Sequence, residues 1–166
     1  MRFIALISFF LFISTNNQTN ADAEKSLQVH NSARAEVGVA ELIWSKELEK
    51  DAKNYAKILA DKDSGLVHSK SKDNQGENLY YWYGSSSLFS GTPLSDASYS
   101  WYSEIKDYKY GPLKNDSNFY KIGHYTQMIW KNTKYVGIAS AISKTGKVYV
   151  VARYYPAGNY IGQYPY

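Results

Sequence analysis

Histidine side chains offer this chain its clearest means of acid–base chemistry or metal binding, and there are three of them, His30, His68 and His124. The 166-residue sequence contains no cysteine, which excludes a thiol nucleophile and any zinc site with cysteine ligands. The sequence also lacks the G-x-S-x-G elbow of serine hydrolases, the H-E-x-x-H zinc motif, a phosphate-binding P-loop and an EF-hand calcium loop. The most familiar routes to enzyme activity are therefore unsupported.

Two segments place polar and aromatic residues in an order that resembles a known family. Residues 123–130 read Gly-His-Tyr-Thr-Gln-Met-Ile-Trp and resemble the G-H-[FY]-T-Q-hydrophobic-hydrophobic-W signature of the CAP superfamily, the group of cysteine-rich secretory proteins, venom allergens and plant pathogenesis-related class-one proteins. Residues 149–160 resemble the second CAP signature, with Ala152 in place of the usual cysteine. Shorter matches occur in the family's order at His30-Asn31, Arg34, Leu42-x-Trp44, Gly76-Glu77-Asn78 and Trp101-Tyr102-x-Glu104.

The resemblance implies a cleft that holds two histidines and two acidic residues, His68, Glu77, Glu104 and His124. Two imidazoles, His68 and His124, could bind zinc or another divalent metal and leave positions for water, while neighbouring carboxylates orient the rings. The same four residues could instead form a hydrogen-bonded polar cluster that organises the fold. His30, which family members use structurally, is expected to pack in the core.

The cysteine-free second signature most resembles the Golgi-associated pathogenesis-related branch of the superfamily. Members of that branch are cytosolic and N-myristoylated. This chain begins Met1-Arg2, without the glycine that myristoylation requires, so the lipid anchor of that branch is not expected here.

The first residues have the order of a secretory signal peptide. Arg2 precedes an apolar run from Phe3 to Ile13, and Ala21-Asp22-Ala23 forms a small-x-small cleavage site. The apolar run is far shorter than the ~20 residues that span a bilayer, which disfavours a transmembrane anchor. We therefore expect a signal peptide over residues 1–23, a single CAP domain over residues 24–166, and a secreted, extracellular protein.

Net charge restricts the class of partner. The formal charge is +4 and the basic residues are scattered, so the sequence does not indicate nucleic-acid binding. A mild positive excess favours anionic surfaces such as acidic membranes or glycans. Asn115 begins an N-x-S sequon in a predicted loop and is a candidate glycosylation site, although an ordinary polar turn explains it equally well.

An aromatic stretch followed by a flexible loop suggests a binding surface for lipid. The candidate contacts are Tyr81, Trp82, Leu88 and Phe89. CAP members are reported to bind sterols, fatty acids or acidic phospholipids, and some act in defence or host interaction, so the resemblance implies a binding module for sterol or fatty-acid-like lipid rather than an enzyme. Ordinary strand packing would explain the aromatic residues as well. Two alternatives remain, a metal-dependent hydrolase that uses the four cleft residues and a ligand for another protein.

Hydrophobic periodicity predicts helices followed by a hairpin. The helices are expected at residues 24–37, from the Ser45 cap to about residue 62, from about Pro93 and at residues 124–130, and the strands at residues 78–83, 135–142 and 148–155. This segregation favours an α+β fold. The resemblance implies a three-layer α-β-α sandwich with about four helices around a small, mainly antiparallel sheet.

Overall fold

A computed structural model describes the backbone of residues 7–70, 73–84 and 91–166, and the side chains of these ranges from residue 21 onward. The elements follow in the order α1 (Ile7–Glu36), β1 (Ile43–Trp44), α2 (Lys46–Lys62), β2 (Gly76–Trp82), α3 (Pro93–Tyr102), a 3-10 helix (Ser103–Asp107), α4 (Phe119–Met128), β3 (Tyr135–Ile142) and β4 (Val148–Tyr155).

The four strands form one mixed sheet in the order β1-β3-β4-β2. β1 pairs with β3 in parallel, and the other two pairings are antiparallel. Side chains alternate between the faces of each strand. One face packs against α2 through Leu79, Tyr149 and Val151, and the other packs against α1, α3 and α4 through residues such as Val150 and Tyr154. This arrangement confirms the predicted α+β sandwich with a mainly antiparallel sheet.

Two helices begin earlier than the sequence predicts. Within the described residues α1 already runs from Ile7, well before the predicted start at residue 24, and no proline or glycine interrupts the chain before Gly38. α4 begins at Phe119 instead of His124, and Gly123 lies inside it with the Phe119 ring beside its Cα. No helix within the described residues is long and apolar enough to cross a bilayer.

The first turn of α2 packs directly on the sheet. Ser45 caps this helix as predicted, since its hydroxyl accepts a hydrogen bond from the Leu48 amide at 3.2 Å. A Cβ atom added at Gly137 would lie 2.1 Å from the backbone nitrogen of Glu49. Glycine at residue 137 therefore permits the close approach of α2 to β3.

Asp63 joins the end of α2 to the β3–β4 hairpin. Its carboxylate accepts hydrogen bonds from the hydroxyls of Thr145 at 2.5 Å and Tyr149 at 2.9 Å, and Lys147 Nζ lies 3.2 Å away. The Thr145 hydrogen bond makes the largest contribution to lowering the pKa of Asp63 from 3.8 to about 2. The ionised form is therefore the one that stabilises the fold.

Replacing Asp63 by alanine is expected to lower the thermal midpoint at pH 7, because the carboxylate bonds are lost. A carboxylate with a lowered pKa stabilises the fold fully above about pH 4, and this stabilisation is lost as pH falls toward 2. The difference between wild type and variant should therefore shrink over that range. Asp61→Ala, in an exposed pair with Lys57, is the control. Thermal denaturation followed by circular dichroism measures both, and equal midpoints at pH 7 would contradict the role of Asp63.

Candidate functional site

Glu77 lies at the start of β2 with its side chain fully buried. Its cross-strand neighbour is Arg153, whose Nη2 lies 3.0 Å from Glu77 Oε2. Burial acts to raise the pKa of Glu77, but the hydrogen bond from His68 and the charge of Arg153 outweigh it, and the pKa falls below its ordinary value. Glu77 is therefore held as a carboxylate inside the protein.

His68 forms the first histidine–carboxylate pair with Glu77. Its Nδ1 donates to Glu77 Oε1 at 2.5 Å, and the Ser69 amide donates to the same oxygen at 3.0 Å. The side chain of His68 is 57% exposed, whereas its partner is buried. The imidazole of His68 is therefore exposed to solvent and is held in place by a buried carboxylate.

His124 and Glu104 form the second pair. Glu104 lies on the 3-10 helix after α3, and its Oε1 accepts a hydrogen bond from His124 Nδ1 at 2.6 Å. Its Oε2 accepts from the backbone amides of His124 and Tyr125 at 2.9 and 3.0 Å. The indole of Trp101 stacks on the His124 ring with 6.2 Å between centroids. These contacts fix the orientation of the imidazole.

Asn78 connects the second pair to β2. Its Nδ2 donates to the backbone carbonyl of His124 at 3.0 Å and to the Tyr154 hydroxyl at 3.1 Å. Successive side chains of a strand point to opposite faces of the sheet. Glu77 therefore belongs to the first pair on one face, whereas the adjacent Asn78 contacts the second pair on the other face. The four residues named from the sequence thus form two histidine–carboxylate pairs, and each is linked to the start of β2, the first through Glu77 and the second through Asn78.

The two pairs offer little to a metal ion beyond their imidazoles. In each pair Nδ1 is bound to a carboxylate, so Nε2 is the nitrogen left for a ligand. Among the described residues, no group of three or more histidine, aspartate or glutamate side chains is arranged to hold a metal. A catalytic zinc site ordinarily has three protein ligands. Water would have to complete any metal site formed by His68 and His124.

His30 is fully buried and belongs to a hydrogen-bond chain, in keeping with its expected structural role. Its Nδ1 lies 2.9 Å from the carbonyl oxygen of Ser26, so Nδ1 carries the proton. Nε2 therefore accepts from the Tyr154 hydroxyl at 2.8 Å, and that hydroxyl accepts from Asn78. The chain runs from the core to the carbonyl of His124.

The proposed lipid contacts do not share one surface among the described residues. Tyr81 is 48% exposed and stacks on Tyr149, on the face covered by α2. Trp82 points to the opposite face and is half-buried against the core that lies between the sheet and helices α1, α3 and α4. Leu88 and Phe89 lie outside the described residues. Asn115 is exposed in the segment before α4.

A groove that the sequence did not reveal lies beside β3. β1 pairs with only the first two residues of β3, and the groove of about 670 Å³ follows the edge beyond that pairing. Its apolar lining includes Ala23, Pro93, Leu94 and Ile138, and three lysines of α2 line it as well, Lys46, Lys50 and Lys53. The spacing of these lysines at i, i+4 and i+7 on one helix face is the signal that could have indicated it.

Comparison with known proteins places these features in a family. The family model described as cysteine-rich secretory protein family, CAP, matches residues 27–154. The chain belongs to the CAP family. This CAP protein is 38% identical over 139 residues to Golgi-associated plant pathogenesis-related protein 1 of Homo sapiens, covering 82% of this chain and 84% of the relative. It is 35% identical over 167 residues to pathogenesis-related protein 1C of Nicotiana tabacum, covering 98% and 92%.

A solved structure has the same fold and was determined with a metal. The crystal structure of NaASP2 with Zn²⁺ aligns with a TM-score of 0.72 and 28% identity, covering 87% of this CAP protein and 85% of that chain. The resemblance drawn from the two signatures is thereby confirmed.

Proposed function

We propose that this CAP protein binds a fatty-acid- or sterol-like lipid without converting it. The groove between α1, α2 and α3 carries the proposal. Its volume of about 670 Å³ lies within the range of small-molecule sites. Its apolar wall suits an acyl chain, and the lysines suit a carboxylate. No nucleophile motif in the sequence supports turnover of the ligand.

Lys50 is the lysine best placed for the carboxylate of a fatty acid. Lys46 pairs with Glu49 at 2.8 Å, and Lys53 donates to the backbone carbonyl of Ser140 at 2.9 Å. Within the described part of the chain, Lys50 has no such partner. Its ammonium group is therefore the one that a ligand anion can pair with at no loss of an existing contact.

Charge reversal at Lys50 tests the proposal. Lys50→Glu should weaken binding of radiolabelled palmitate by about tenfold, because an attraction becomes a repulsion, and should leave cholesterol binding unchanged. Lys57→Glu, on the same helix and outside the groove lining, is the matched control. His124→Ala should bind both lipids as wild type does. Absence of saturable binding of either lipid by the folded protein would contradict the proposal and favour a protein partner.

We also propose that the protein is exported. The apolar run from Phe3 to Ile13 after Arg2 supports a signal peptide. Expression of the full chain in a secretory host should place it in the medium without its first residues. Intact Met1 on the protein collected from the medium would contradict this.

Zinc binding is the second candidate, favoured by the two pairs. The Nε2 atoms of His68 and His124 would hold the ion, and Glu77 and Glu104 would orient the rings through Nδ1. A bound divalent cation would supply Lewis acidity to a water ligand.

Titration calorimetry with zinc at neutral pH is the test. His124→Ala should abolish binding, and Glu104→Gln should weaken it about 10- to 100-fold because the ring loses its orienting carboxylate. Binding should also weaken in acid, where protons compete for imidazole. An affinity unchanged by His124→Ala would contradict this site. Zinc-dependent hydrolysis that disappears in the same variant would favour the hydrolase.

A further inference from the structure

The N-terminus of α3 is capped by a residue of another helix. Asp22 of α1 accepts hydrogen bonds from the Leu94 amide through Oδ2 and from the Ser95 amide through Oδ1, both at 2.9 Å. The residue before α3, Thr92, makes no side-chain capping bond. Asp22 is only 4% exposed. A carboxylate at this position satisfies two amide donors and interacts favourably with the positive end of the helix dipole.

The contacts that follow Asp22 continue the attachment of α1 to α3. Ala23 packs against the main core, and Ser26 Oγ lies 2.9 Å from Ser98 Oγ one turn further along both helices. Ala21, by contrast, is exposed. Among the residues of α1 whose side chains the structure describes, Asp22 is therefore the first that is buried against the rest of the domain.

Two bonds in this region satisfy the small-residue rule of leader peptidases. Cleavage after Ala23 uses Ala21 and Ala23, and cleavage after Ala21 uses Thr19 and Ala21. The first would remove Asp22 and leave the amides of Leu94 and Ser95 without their acceptors. The second would leave Asp22 as the first residue of the mature chain.

We propose that the export leader is removed at the Ala21–Asp22 bond, so that the mature protein retains the cap of α3. The inference rests on the proposed export. Hydrolysis of this bond by a leader peptidase consumes one water, leaves a carboxylate on Ala21 and gives Asp22 a free α-amino group. The domain then begins at residue 22 and not at residue 24.

Intact mass and N-terminal sequencing of the full chain secreted into the medium test the bond. The expected first residue is Asp22. A first residue of Glu24, or any residue before Asp22, would overturn the assignment while leaving export intact. Intact Met1 would contradict export as well, so the two failures are distinguishable.

The value of the cap is tested separately by substitution in the secreted protein. Asp22→Ala should lower the thermal midpoint by roughly 3–8 °C, the shift expected for loss of a helix cap in a domain of this size. Glu24→Ala removes an exposed carboxylate two residues away and should leave the midpoint unchanged. Equal midpoints for wild type and Asp22→Ala would overturn the reason for retaining Asp22.

Discussion

Replacing Arg34 by methionine is expected to destabilise the protein by about 3–5 kcal/mol, because each buried acceptor that loses its donor costs about 1–3 kcal/mol. The guanidinium is fully buried and donates to four backbone carbonyls, at 2.6 to 3.0 Å, on Ala40, Met128, Trp130 and Thr133. Burial lowers the pKa of Arg34 to about 10, so the group is still charged at neutral pH. Methionine fills similar space and leaves these acceptors unpaired.

Urea unfolding at pH 7 measures this loss. Lys57→Met is the control, since it removes a basic side chain that is 70% exposed and should change the free energy of unfolding by less than about 0.5 kcal/mol. A loss below 1 kcal/mol for Arg34→Met would show that the four carbonyls find other partners. The substitution should also affect the histidine–carboxylate site, because Met128, whose carbonyl binds Arg34, is the last residue of the helix that carries His124.

Stability should fall by about 3 kcal/mol between pH 6.5 and pH 4 through His30 alone. Burial is the main cause that lowers the pKa of His30 from 6.5 to about 4. The unfolded chain therefore binds a proton in this range that the folded protein excludes, and the difference between the two pKa values corresponds to that energy. Stability rises with pH across the interval and is complete above pH 6.5.

His30→Gln separates this contribution from the rest of the pH dependence. Glutamine keeps a donor and an acceptor but does not titrate. Urea unfolding from pH 7 to pH 4 should show that the variant is less stable at pH 7 and loses less stability on acidification. Equal slopes for wild type and variant would mean that His30 is not protonated on unfolding in this range.

The β3–β4 hairpin could be predicted from the sequence because the residues that specify its strands and its turn are neighbours in the chain. β3 and β4 occupy the predicted residues 135–142 and 148–155, where β-branched and aromatic residues flank a turn with Gly146 at a φ of 86°. β1 was not predicted, since two residues carry no periodicity and exist as a strand only by pairing with β3. The fourth helix was predicted from His124, yet α4 begins at Phe119 and passes through Gly123.

The residues of the candidate site could be predicted from the sequence, but the contacts that connect them to the rest of the fold could not. Glu77, Glu104 and His124 were named from the matched motifs, and His68 from its place in the order ahead of Gly76-Glu77-Asn78. The second partner of Glu77 is Arg153, which lies 76 positions away and is adjacent only through strand register. Asn78, which reaches the carbonyl of His124, and Tyr154, which bonds to both Asn78 and His30, carry no local signal of these contacts. Long-range pairing of this kind follows from the fold, and no local pattern of residues in the sequence displays it.

The short β1 has a consequence for the behaviour of the protein in concentrated solution. Beyond Val136 the outer edge of β3 has no strand partner among the described residues, and an open edge is a template for pairing with the same edge of another copy. Lys53 covers the carbonyl of Ser140, and Lys46 and Lys50 add positive charge along the same side. Like charges would oppose each other if two such edges approached. The lysines of α2 thus also oppose aggregation through the open edge of β3.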